Sequence, residues 1–204
     1  MRALRISKIL LVGAIGLAVL APGVSAGEAS FPDAQGDATG VSDVPTSPRP
    51  SDKELDILKV SFTSSADSLT TVVKYSALGA PPAATGSTRT VSFTYEGAEY
   101  TFRFQSPQPP MDNVAAVGFL FRKGSTTIPC GRCSGKFDAK NNSLVMTAEF
   151  KSMHSGMKSE DAKVPAIGPG KKISGLRANT FRTVGLAALT SDTAQPDKPR
   201  EMIL

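Results

Sequence analysis

Five aspartates, Asp33, Asp37, Asp43, Asp52 and Asp56, crowd one glycine-containing stretch of the chain. Carboxylates gathered in this way suit a hard cation such as calcium, which takes about six to eight oxygen ligands. The spacing is not that of an EF-hand, and aspartate also favours turns and solvated arms. If calcium binds, Asp33, Asp37 and Asp56 are expected to carry it.

The second chemical group is Cys130-Gly131-Arg132-Cys133, the only cysteine pair. In an oxidising compartment it reads as a structural disulfide pinching a short loop. The alternative is a redox dithiol, whose first cysteine should stand at a helix N-terminus that lowers its pKa. The residues that follow, Ser134-Gly135-Lys136-Phe137-Asp138, do not have a helical pattern.

Other chemistries lack parts. Zinc needs about four ligands, and beyond the two cysteines only His154 is of suitable type. No Gly-x-Ser-x-Gly elbow presents a serine to that histidine. Gly168-Pro169-Gly170-Lys171-Lys172 imitates a phosphate loop, but Pro165 replaces its first glycine and Lys172 its Ser or Thr. An enzyme, whether a hydrolase or a thiol oxidoreductase, would therefore have to work from the loops around Cys130, Cys133 and His154.

The start of the chain fixes where such chemistry would operate. Arg2, Arg5 and Lys8 precede an uncharged apolar run from Ile9 to Leu20, then Pro22 and the small residues Val24, Ser25 and Ala26. This is the order of a signal peptide over residues 1–26 cleaved before Gly27. The run of twelve is shorter than the roughly 20 residues a membrane-crossing helix needs, so cleavage is expected, with an uncleaved anchor as the alternative. Three of the 23 basic residues leave with the leader, so 20 remain against 18 acids and the net charge falls from +5 to +2. No basic stripe remains to suggest nucleic acid.

The rest of the chain has the length of one domain. Residues 27–53 read as an extended acidic, glycine-rich arm, 54–190 as a β domain and 191–204 as a frayed polar tail. Within the domain apolar residues alternate with polar ones. Leu58, Val60 and Phe62 form one such set, and Leu69, Thr71, Val73 and Tyr75 a second. Val91, Phe93 and Tyr95 face the same way as Tyr100, Phe102 and Phe104 across a turn at Glu96-Gly97-Ala98-Glu99, which predicts an antiparallel hairpin with one apolar side. Val117, Phe119 and Phe121 make a further strand, and Leu144, Met146, Ala148 and Phe150 another. Residues 151–172 read as loop with one helical turn at Ser152 to Met157, and the last strands as Ile173 to Ala178 and Phe181 to Leu189. Eight or nine short strands without a long helical period predict an all-β, antiparallel two-sheet sandwich of the jelly-roll kind, a closed barrel being the alternative.

The run Phe31-Pro32-Asp33-Ala34-Gln35-Gly36-Asp37-Ala38, followed by Leu55-Asp56-Ile57 at the first strand, resembles the opening of exported bacterial β-sandwiches similar to family-nine carbohydrate-binding modules and DOMON domains. The resemblance covers about thirty residues. It implies an acidic loop that holds structural calcium and a sandwich whose face or loops bind a sugar or a haem. The chain departs from it in having no Trp, whereas sugar-binding faces offer flat exposed aromatics, and in offering only His154 and nearby methionines to haem. The expectation is an exported, non-catalytic binding or structural module. Its partner would be extracellular, with glycan and cell-envelope components as candidates, and neither nucleic acid nor a stable membrane span is expected.

Overall fold

Alternation of burial along the strands dictates the architecture. In the computed structural model, which describes residues 27–38, 53–78, 87–105, 118–122, 127–130, 132–154, 166–184 and 187–204, two antiparallel sheets pack face to face. The first runs in the order β1 (Glu28–Pro32), β2 (Ile57–Ser64), β3 (Ser68–Tyr75), β9 (Ser143–Glu149) and β8 (Cys133–Asp138). The second runs β11 (Ala187–Ala194), β10 (Lys172–Val184), β4 (Ser87–Tyr95), β5 (Ala98–Gln105), β6 (Gly118–Arg122) and β7 (Thr127–Pro129), with β12 (Glu201–Ile203) paired to β10. One short helix, α1 (Phe150–His154), follows β9. Among the described residues no helix is long and apolar enough to cross a membrane.

The expected hairpin of β4 and β5 forms, with Val91 opposite Phe102 and Phe93 opposite Tyr100. Its turn needs only Glu96 and Gly97, both at positive φ (48° and 73°), the combination that matches the twist of paired strands. Val91, Phe93, Tyr95, Tyr100, Phe102 and Phe104 are all buried, and they meet Phe62, Leu69, Val73, Leu144 and Ala148 from the first sheet in one core. Each large apolar side chain so enclosed contributes about 1.5–3 kcal/mol relative to exposure. Stacking of Phe93 on Tyr100, with ring centres 5.5 Å apart, adds to that.

Four expectations are corrected. Among the described residues there are twelve strands rather than eight or nine. In β2 a bulge between Ile57 and Lys59 breaks the alternation, so Ile57 and Val60 are buried while Leu58 is only half-buried. The expected strand Ile173 to Ala178 and residues 181–184 of the expected strand Phe181 to Leu189 join into the single β10, which has a bulge between Ser174 and Arg177, while 187–189 belong to β11, which pairs back onto it. The described part of the supposed arm, 27–38, and the tail are both built in: β1 pairs with β2 and buries Phe31, and the last residues form β12 and bury Met202 and Leu204. Their short, mostly polar sequences hide the few apolar residues that anchor them. The leader, 1–26, and the strand residue Val117 lie outside the described residues.

Two places connect the sheets at opposite edges. At one, the chain passes from β7, the edge of the second sheet, to β8, the edge of the first, through Cys130 to Cys133. At the other, β11 lies against β2, and the loop after β1 meets them both.

Candidate metal centre

At this second edge the acidic loop is assembled from three directions. As β1 ends, the Asp33 amide donates to the Leu58 carbonyl at 2.9 Å, so the loop starts from a fixed point on β2. The chain then turns at Gly36, whose φ of 83° suits glycine, and the Gly36 amide donates to Asp56 Oδ1 at 2.8 Å. Asp56 Oδ2 accepts from the Ser76 hydroxyl, and the Ser76 amide donates to the Asp56 carbonyl at 2.9 Å. Asp56 is thus a buried brace with both carboxylate oxygens engaged within the fold.

The partner that sequence reasoning missed is Asp192, on β11 of the other sheet. It is 5% exposed, and its Oδ2 accepts from the Ile57 amide at 2.6 Å while Oδ1 accepts from the Thr193 amide at 2.7 Å. One carboxylate oxygen from each of Asp33, Asp37 and Asp192 lies within 4.8 Å of the others. The structure therefore brings Asp33 and Asp37 together as expected, but puts Asp192 rather than Asp56 beside them. Asp43 and Asp52 lie outside the described residues.

Crowding shows in the electrostatics. Burial, then the charges of Asp192 and Asp37, push the Asp33 carboxyl up to about 7, with the Ala34 amide opposing and Asp56 adding to the rise. Burial, and next to it the charges of Asp37 and Asp56, raises Asp192 as well, against the lowering by the Ile57 and Thr193 amides. Asp33 Oδ2 is buried without a hydrogen-bond partner among the described residues. Oxygens that share one calcium at 2.3–2.6 Å can stand no more than about 5 Å apart, so the 4.8 Å grouping and the orphaned oxygen are compatible with that ion.

No protein-family model, curated protein or solved structure matches this chain. Function must be argued from the residues themselves.

The other sequence candidates are placed as follows. Cys130 and Cys133 are disulfide-bonded, with Cα atoms 5.2 Å apart. Cys133 opens a strand, so the helix N-terminus that a redox dithiol requires is not at this pair. Arg132, between the cysteines, pairs with Glu149 at 3.1 Å on the surface. His154 ends α1, and its side chain lies outside the described residues. The segment from Gly168 to Lys171 turns into β10 rather than a helix, which removes the phosphate-loop geometry.

A second residue without a sequence forecast is Arg89, 1% exposed in β4. Its guanidinium lies over the rings of Tyr75 at 5.2 Å and Phe137 at 5.1 Å. It donates to the Ser87 hydroxyl at 2.6 Å and to the Glu54 carbonyl at 3.2 Å. The Thr180 hydroxyl donates to the Leu55 carbonyl at 2.6 Å, so two groups of the second sheet hold the turn that delivers Asp56. Inward alternation from Val91 back to Arg89 was the available signal.

Proposed function

We propose that this chain is an exported, non-catalytic β-sandwich module of binding or structural type, whose two sheets are clasped at one edge by a hard cation of the calcium class. The observation that carries the reading is the meeting of Asp33 and Asp37, from the loop after β1, with Asp192 on β11. A cation there joins the first sheet to the second and neutralises carboxylates that otherwise repel one another. Asp33, Asp37 and Asp192 hold the ion, carbonyls and water complete its shell, and Asp56 keeps the loop in place through Gly36.

Export is supported by the leader pattern of residues 1–26 and agrees with the use of both cysteines in a disulfide. The likeness of the acidic opening to calcium-holding modules of the family-nine carbohydrate-binding and DOMON kind points the same way. The partner class that goes with this location is an extracytoplasmic ligand, a glycan or a component of the cell envelope.

The test is calorimetric titration of calcium into chelator-treated mature protein, with Asp37→Asn as the comparison. Asp37 is exposed, so the variant should fold normally. Saturable binding by the wild type, weakened at least tenfold in the variant, supports the clasp. Absence of binding in the wild type, or equal binding by both, contradicts it.

A further inference from the structure

Beside the acidic corner, on its outer side, a cleft of about 520 Å³ opens between the end of β1 and the connection from β11 to β12. Its volume falls within the roughly 300–1,000 Å³ of small-molecule sites. Pro32, Ala34 and Pro196 supply an apolar part over the buried Phe31, and four charged residues line the cleft as well: Asp33 and Asp197 of one sign, Lys198 and Arg200 of the other.

Charges of opposite sign within one cleft ordinarily pair with each other. Here, among the described residues, no ion pair joins any two of them; the pairs that form are Arg132 with Glu149, Lys172 with Glu201 and Arg177 with Glu99. Arg200 instead donates through Nη1 to the Ser30 carbonyl of β1, which ties it to that strand and leaves its other guanidinium donors without a hydrogen-bond partner among the described residues. Asp197 and Lys198 stand exposed on the same connection. The connection is itself anchored at both ends, by buried Ala194 in β11 and buried Met202 in β12. Charges of both signs beside the prolines of the cleft match a ligand that carries both signs itself.

We propose that this cleft binds a small zwitterion, an amino acid or a short peptide with free ends. Its carboxylate is held by Lys198 and Arg200, its ammonium by Asp197, and its aliphatic part lies on Pro32 and Pro196. The site is separate from the cation clasp except that Asp33 borders both, and for that reason the test leaves Asp33 untouched.

The probe is glycylglycine, titrated into isotope-labelled mature protein in calcium-containing buffer and followed by amide chemical shifts. The expected result is a saturable response confined to the amides of Phe31, Asp33, Ala34, Gln195, Asp197, Lys198 and Arg200, with a Kd of about 1 mM or tighter. Asp197→Ala and Lys198→Ala should each weaken it at least about tenfold. Ethylamine and propionate, each bearing one of the two charges, should bind at least tenfold more weakly than the dipeptide. The proposal is overturned by a flat response up to about 10 mM, by equal binding of either singly charged compound, or by indifference to both substitutions. Failure of calcium to bind, with glycylglycine still saturating this cleft, would sink the clasp and leave the zwitterion site standing.

Discussion

Asp33 holds its proton to about pH 7 because burial and the charges of Asp192 and Asp37 disfavour its ionised form. Its ordinary value, 3.8, applies in the unfolded chain. A group whose folded value lies above the unfolded one contributes stability that is complete below the unfolded value and is lost as pH rises through the folded one. Without a cation the protein should therefore melt at a lower temperature at about pH 8 than at about pH 5, and Asp33→Asn should flatten that slope. Calcium competes with the proton, so the melting-temperature gain from calcium should increase across the same window. Thermal melts at several pH values, with chelator and with calcium, read both trends, and a metal-free protein that grows more stable from about pH 5 to 8 would contradict them. Arg89 makes a second prediction at this scale. Its charge is buried and held by two rings, a hydroxyl and a carbonyl, so Arg89→Ala leaves both a void and unpaired polar groups and should cost about 3 kcal/mol or more. Arg89→Met keeps most of the volume, and chemical denaturation should show it losing less than half as much.

At the scale of elements, the Cys130–Cys133 bond closes the crossover from β7 to β8, but it spans only two intervening residues. A loop of that size gives an entropic stabilisation of about 2 kcal/mol, so replacing both cysteines by alanine should lower stability by that order without unfolding the protein. β8 is held by more than its disulfide. A Cβ on Gly135 would stand 2.0 Å from Cε2 of Phe104, whose ring meets Phe137 edge-on at 4.9 Å. Gly135→Val should thus cost about 1–3 kcal/mol in denaturant melts, and a neutral outcome would mean that β8 does not press on the second sheet. The central strands were legible because apolar residues recur at every second position over much of their length, as in Val91, Phe93 and Tyr95 of β4, Tyr100, Phe102 and Phe104 of β5, and Leu144, Met146 and Ala148 of β9. β1 and β12 were not, since strands of five and three residues carry too few apolar positions to set a period. The bulges of β2 and β10 shift the phase of alternation midway, and a strict period of two then misassigns Leu58 and splits β10.

For the whole molecule, the acidic corner and the disulfide lie at opposite edges of the sandwich, one where Asp192 of the second sheet accepts from the Ile57 amide of the first, the other in the crossover from β7 to β8. Two of the three aspartates of the acidic corner could be read from the sequence, because Asp33 and Asp37 share one short loop. Asp192 could not, for it arrives from β11, and pairing between sheets has no local signature; the one hint is an aspartate in a strand, where that residue is seldom found. If a cation joins the edges, calcium at about a hundred times its Kd should raise global stability by about 2.7 kcal/mol. The most direct measurement is hydrogen exchange at the Ile57 amide, which donates to Asp192 across the two sheets at 2.6 Å. Calcium should slow exchange there at least tenfold, while amides of β8, at the far edge, change less. Identical rates at Ile57 with calcium and with chelator would contradict the clasp.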